Sequence, residues 1–295
     1  MAPLSVTFQP NWLEVLMSPF MRNALIGGTL VAIAAGVIGY FVIVRGTAFA
    51  AHALAHIGFP GATLAVLLGA SVTGGLLVFT VAGALTIGAL GKRADDREIA
   101  TGTVLAFATG LGVLFASLAT AGSTTVTNVL FGSLLAITSQ QLVVFGVLTA
   151  LIVLAVVAVF RPLLFASIDP LVAEAKGLRV RLLGTVFMVL LALVITMSVQ
   201  VVGTLLLFGL VVTPAATALR ITARPVLAVA MGSLLSLVAV WVGLVLAVMF
   251  NLPPSFFVVT VSTGMWLAAL GATRVRHGRP RRADPPRASR GADLP

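Results

Sequence analysis

The sequence predicts an all-α integral membrane protein, a polytopic bundle of about eight to nine transmembrane helices with a broken second helix. Three observations carry that prediction. The 295-residue chain is 60% hydrophobic and 9% charged, with a mean hydropathy of +1.17, whereas a soluble domain carries roughly 25% charged residues. Its apolar residues fall into nine runs, approximately 21–44, 47–69, 73–91, 99–119, 140–160, 182–199, 201–219, 225–250 and 256–272. A hydrocarbon core of about 30 Å needs roughly 20 helical residues to cross it. The third observation is that the basic residues alternate from loop to loop.

The first run, from about Leu25, continues well past the roughly 7–15 residues of a signal-peptide core and is expected to be a retained span. Residues 1–20 are then a short lead-in, 21–272 a transmembrane domain, and 273–295 a basic tail whose Arg and Pro content predicts disorder. Placing Arg45, Lys92, Arg93, Arg97, Arg161, Lys176, Arg179, Arg181, Arg220, Arg224 and the tail on one side leaves only Arg22 on the other. By the positive-inside rule that side is cytoplasmic, so nine spans put the amino terminus outside and the carboxyl terminus inside. The stretch from Ser123 to Gln141 is too polar and too short in its apolar part to span, which predicts a re-entrant or surface helix on the outer side. In the long inner loop, Asp169-Pro170 followed by helix formers and closed by Gly177 has the form of a short capped helix. Such a helix suits docking to another protein or lying on the headgroups.

The net charge of +10 does not indicate nucleic acid as a partner, because seven of the eighteen basic residues lie in the last 22 and most of the others in short loops. With no cysteine there is no disulfide, thiolate site or cysteine nucleophile. Gly88 to Arg93 lacks the glycine spacing and the Ser/Thr after lysine of a phosphate-binding loop, so ATP hydrolysis is not expected of this chain. All eight acidic residues lie near termini, in loops or in the tail, so no membrane-embedded carboxylate relay is available to a proton-driven transporter. Energy from a partner ATPase is the more economical reading.

Within the second run, His52 and His56 are spaced to share one helix face, and polar groups deep in a bilayer mark a pathway. Counting from Arg45 they lie about 10 and 16 Å above the cytoplasmic edge. Imidazole is the commonest metal ligand. Pro60, before Gly61, has no N–H for the His56 carbonyl, whose freed oxygen could be a third ligand at a helix break. Against this stands a plainer reading, two histidines hydrogen-bonded to neighbouring helices beside a simple kink. The His-x-x-x-His spacing also occurs in zinc proteases, but Ala53 stands where the helical protease needs its glutamate. Further along, Pro214 within Thr213 to Thr217 frees the Leu210 carbonyl and predicts either a gate or bend or a packing of small residues.

These stretches together resemble the permease subunit of the zinc and manganese ABC importers. The matching residues run from Arg45 to Phe49 into His52, His56 and Pro60-Gly61, through Leu130 to Ile137 and Asp169-Pro170 to Gly177, and from Val202 to Leu206 into Pro214 to Ala218. The resemblance implies a homodimer in the bacterial cell membrane that takes a divalent metal, as substrate and not as cofactor, from an extracellular binding protein. Cytoplasmic ATP-binding subunits would open it, docking at Asp169, Pro170, Glu174 and Gly177. The family pattern on the second helix is Asp-x-x-x-His, so His56 matches and His52 replaces the aspartate. Manganese favours hard oxygen ligands and zinc accepts imidazole, which leans the expectation to zinc with manganese and iron open. The alternatives are a permease for a metal chelate or vitamin B12-like substrate, and a non-transporting scaffold. The basic tail is expected to serve topology first, with contact to anionic membrane lipid as a second role.

Overall fold

The computed structural model describes residues 10–90, 94–119 and 122–277. It is built of helices: α1 (Trp12–Leu16), α2 (Pro19–Val44), α3 (Ala48–Leu67), α4 (Val72–Leu90), α5 (Ala94–Leu118), α6 (Gly122–Phe131), α7 (Ser139–Ile168), α8 (Pro170–Ala175), α9 (Val180–Val202), α10 (Leu207–Val211), α11 (Thr213–Ile221), α12 (Pro225–Phe250) and α13 (Pro254–His277). Among the described residues eight helices, α2–α5, α7, α9, α12 and α13, are long and apolar enough to cross a membrane.

The seventh predicted run differs. After Val202 the chain leaves helical geometry at Gly203 (φ +82°), and the run Leu207–Ile221 is split into α10 and α11. Because α9 and α12 both begin beside basic residues, Arg179, Arg181 and Arg224, the chain must return across the bilayer between them. The α10–α11 pair, residues 207–221, is the shorter apolar run that lies between them.

The break expected in the second span is not there. α3 runs helically through Pro60. One missing N–H is a small loss in a helix held on two sides, and Thr63 donates its hydroxyl to the Phe59 and Pro60 carbonyls at 3.2 Å each. Gly61 and Gly75 let the α3 and α4 backbones touch, a contact that any Cβ would block.

On the outer side α6 is ten residues long and does not span; it ends at Gly132 (φ +75°), followed by a 3-10 turn over Leu134–Ala136. This hairpin is stitched to the α9 terminus. Ser133 N–H donates to Gln200 O (3.0 Å), Thr204 N–H to Val129 O (2.9 Å) and Leu205 N–H to Leu130 O (3.3 Å). Two breaks thus satisfy one another, as irregular backbone at membrane depth requires. Nearby, Gln200 Oε1 accepts from Thr73 (2.7 Å) and Gln141 (3.0 Å), and the Thr80 and Thr196 hydroxyls meet at 2.7 Å deeper in the bundle.

At the basic end, α7 continues eight residues past the predicted limit of its run, through Arg161 and Pro162. α8 forms where the sequence predicts a capped helix, with Val172 N–H donating to Asp169 Oδ1 (3.0 Å) and Gly177 at φ +82°. α13 extends to His277, five residues into the predicted tail; residues 278–295 lie outside the described part. The core is centred on α2, α3 and α9, whose residues account for most of the fully buried side chains.

Candidate metal path

α3 is apolar on every side, and that is why its exceptions are informative. From Ala50 to Thr63 every residue is buried except His52 and His56, which are half-buried. Together with Phe49, 47% exposed, they form one stripe at the i, i+3, i+7 spacing of a helix face. The two imidazole rings meet edge to face with centroids 4.8 Å apart. Phe208 of α10 closes against His52 at 5.6 Å, again edge to face. Nδ1 of His52 is buried and has no hydrogen-bond partner among the described residues.

That last fact bears on the two sequence readings of His52. A histidine retained to hydrogen-bond a neighbouring helix would have its buried nitrogen satisfied, since an orphaned polar atom costs about 1–3 kcal/mol. The nitrogen lies instead on a half-buried stripe of the helix with its hydrogen-bonding capacity unused. The remaining donors are few. Among the described residues no group of three or more His, Cys, Asp and Glu side chains converges, so a cation held here has two neutral imidazoles and whatever backbone oxygen, water or second chain completes the shell. The His56 carbonyl receives no N–H from Pro60.

The other predicted positions lie apart from this stripe. Pro60 and Gly61 are buried one turn above it, against α4. Pro214 lies in the first turn of α11, and the Leu210 carbonyl it frees accepts from the Ser236 hydroxyl of α12 at 3.1 Å. Asp169, Pro170, Glu174 and Gly177 form the separate α8 knob at the basic end, with Leu171 80% exposed and Ala173 buried. Phe208 was not foreseen; a lone aromatic 152 positions after His56 carries no local signal.

The profile of the ABC 3 transport family matches residues 17–272, the whole transmembrane region. The chain belongs to this family. It is 34% identical over 261 residues to the manganese transport system membrane protein MntC of Listeria innocua, covering 88% of this chain and 92% of the relative. Over 229 residues it is 32% identical to the manganese import system permease protein ScaB of Streptococcus parasanguinis, covering 76% and 81%. Among solved structures it is similar to PsaBC from Streptococcus pneumoniae in complex with Fab, with a TM-score of 0.80 and 30% identity over 88% of this chain and 94% of that one. Family and spans together make it a multi-pass integral protein of the bacterial plasma membrane.

Proposed function

We propose that the chain is the permease subunit of an ATP-driven importer of divalent metal ions, and that the α3 stripe is the wall of its ion path. The observation that carries this reading is the pair of half-buried imidazoles, one with an orphaned nitrogen, on an otherwise buried helix. Relatives named for manganese transport support the metal as substrate class.

Mechanistically, the stripe contributes lone pairs without net charge. Each neutral imidazole replaces a water of the hydrated cation, and the shell stays incomplete on this chain, so holding is weak and release easy. Protonation of either ring removes its lone pair, which makes passage sensitive to acid. With His52 in place of a carboxylate, the site shifts from manganese toward zinc relative to the aspartate-bearing pattern. The energy comes from a cytoplasmic ATP-binding subunit docking on α8, a capped helix whose Leu171 is exposed. An extracellular binding protein delivers the ion and two copies of the chain enclose the path. Pro60, Gly61 and Pro214 set the helix geometry around it. Residues 21–272 constitute the permease domain, with a short lead-in before it and a basic tail after it.

Uptake of radioactive zinc and manganese, with the ATPase and binding protein co-expressed, tests this. His56→Ala is expected to lower uptake about tenfold or more at unchanged membrane abundance; normal uptake would remove the site. His52→Asp is expected to move the competition between the two metals toward manganese, and an unchanged ratio would show that position 52 does not set selectivity.

A further inference from the structure

On the face formed by α2, α7 and α12, away from the histidine stripe, lies a cavity of about 500 Å³ walled by Val37, Val153, Val156, Val157, Phe160 and Val229. It is apolar along its length and ends at Arg161 and Pro162. Twenty-two residues separate Ser139 from Arg161, about 33 Å of helix, which sets Arg161 just beyond the roughly 30 Å hydrocarbon core. The cavity therefore lies in the hydrocarbon and its cationic end at the headgroups. No carboxylate lines it, and Arg161 has no hydrogen-bond, ion-pair or ring partner among the described residues. Arg224, the residue before α12, adds a second exposed cation next to the wall residue Val226. The carbonyl of Ala158, also in the lining, receives no N–H from Pro162.

We infer that this cavity is a binding site for an anionic phospholipid, with an acyl chain along Val153 to Phe160 and the phosphate on Arg161. Every feature answers a part of such a molecule. The valine and phenylalanine walls match a hydrocarbon chain, the unpartnered guanidinium matches a phosphate diester, and the Ala158 carbonyl accepts from a headgroup hydroxyl. A free phosphate would satisfy Arg161 and leave the walls empty; a second copy of the chain would cover the walls and bury an unpaired charge.

The full chain reconstituted in nanodiscs of mixed phosphatidylglycerol and phosphatidylcholine, then released for native mass spectrometry, reads the retained lipid directly. Phosphatidylglycerol is expected to be enriched on the wild type. Arg161→Gln is expected to reduce its retention about five-fold, the worth of one basic residue at headgroup level. Val157→Trp, at a position 69% exposed, fills the groove and is expected to displace the lipid while the unfolding temperature stays unchanged. Equal retention by wild type and Arg161→Gln would overturn the site, as would full displacement by inorganic phosphate. Disulfide trapping of two Val157→Cys copies in the membrane would likewise overturn it, assigning the groove to a dimer contact.

Discussion

Pro60 and Pro214 both sit inside apolar runs of this chain, and the backbone treats them differently. Pro60 lies inside α3 and the helix continues through it; Pro214 lies beyond a true break at Gly203 and opens a new helix. Both remove one N–H. What differs is the surroundings. At α3 the neighbouring helices press on both sides of the chain, and Thr63 covers the local carbonyls. After α9, the hairpin at 129–133 offers carbonyls to Thr204 and Leu205, and takes one from Gln200. A membrane helix breaks where the released groups find partners elsewhere, not simply where a donor is missing.

Gly203→Val strikes the α9 break directly. The residue holds φ +82°, and a Cβ there would run into the Leu130 carbonyl. At φ +82° and ψ 168° the backbone alone costs a β-branched residue on the order of 1–3 kcal/mol, and the clash displaces the hairpin bonds, for a total on the order of 3 kcal/mol. Thermal unfolding in detergent is expected to show a large loss. Gly132→Val, at φ +75° and facing Val201 O and Gly203 N from the other side of the same seam, is expected to cost a similar amount, and the double variant less than the sum, because the two strain one contact. Additive losses would mean that the breaks are independent.

Where sequence and structure part is instructive here. His52, His56 and the Asp169 to Gly177 helix were legible because their signals are local: a four-residue spacing, a cap, a proline and a glycine within nine residues. The eight spans were legible because hydropathy and charge alternate along the chain. The location of the break was not, since the carbonyls that permit it come from residues 129 and 130, more than seventy positions upstream of Gly203. Pro60 was overread for the same reason; a sequence displays the lost donor but not the helices packed around it. Phe208 against His52 and Ser236 on Leu210 O are long-range pairings with no local pattern. The overrun of α7 past Arg161 shows that a helix need not end where its hydrocarbon does.

A middle-sized effect sharpens the Pro214 side. Ser236 is fully buried and its hydroxyl satisfies the carbonyl that Pro214 leaves free. Ser236→Ala in the wild type strands that carbonyl and is expected to cost about 1 kcal/mol. In a Pro214→Ala background the new N–H reaches Leu210 O if the helix closes over the junction, and Ser236→Ala then costs close to nothing. Equal costs in the two backgrounds would mean that the α10–α11 junction stays bent without its proline, with the bend imposed by the contact of Gly39 with Val211 and Ala215.

The smallest effect falls on the other proline. Since α3 is already helical across position 60, Pro60→Ala restores one backbone hydrogen bond to His56 O and changes stability by no more than about 0.5–1.5 kcal/mol, in the stabilising direction. Transport responds differently if the His56 oxygen serves the ion. Once that oxygen accepts from the restored N–H at position 60, it is a poorer ligand, so the metal concentration for half-maximal uptake rises while membrane abundance and unfolding temperature hold or improve. A variant that is as stable as the wild type and transports with unchanged affinity would restrict the ligands on this chain to the two imidazoles. The missing N–H at Pro60 would then be only a tolerated gap in a helix held by its neighbours, and the weak hold on the ion would rest on His52 and His56 alone.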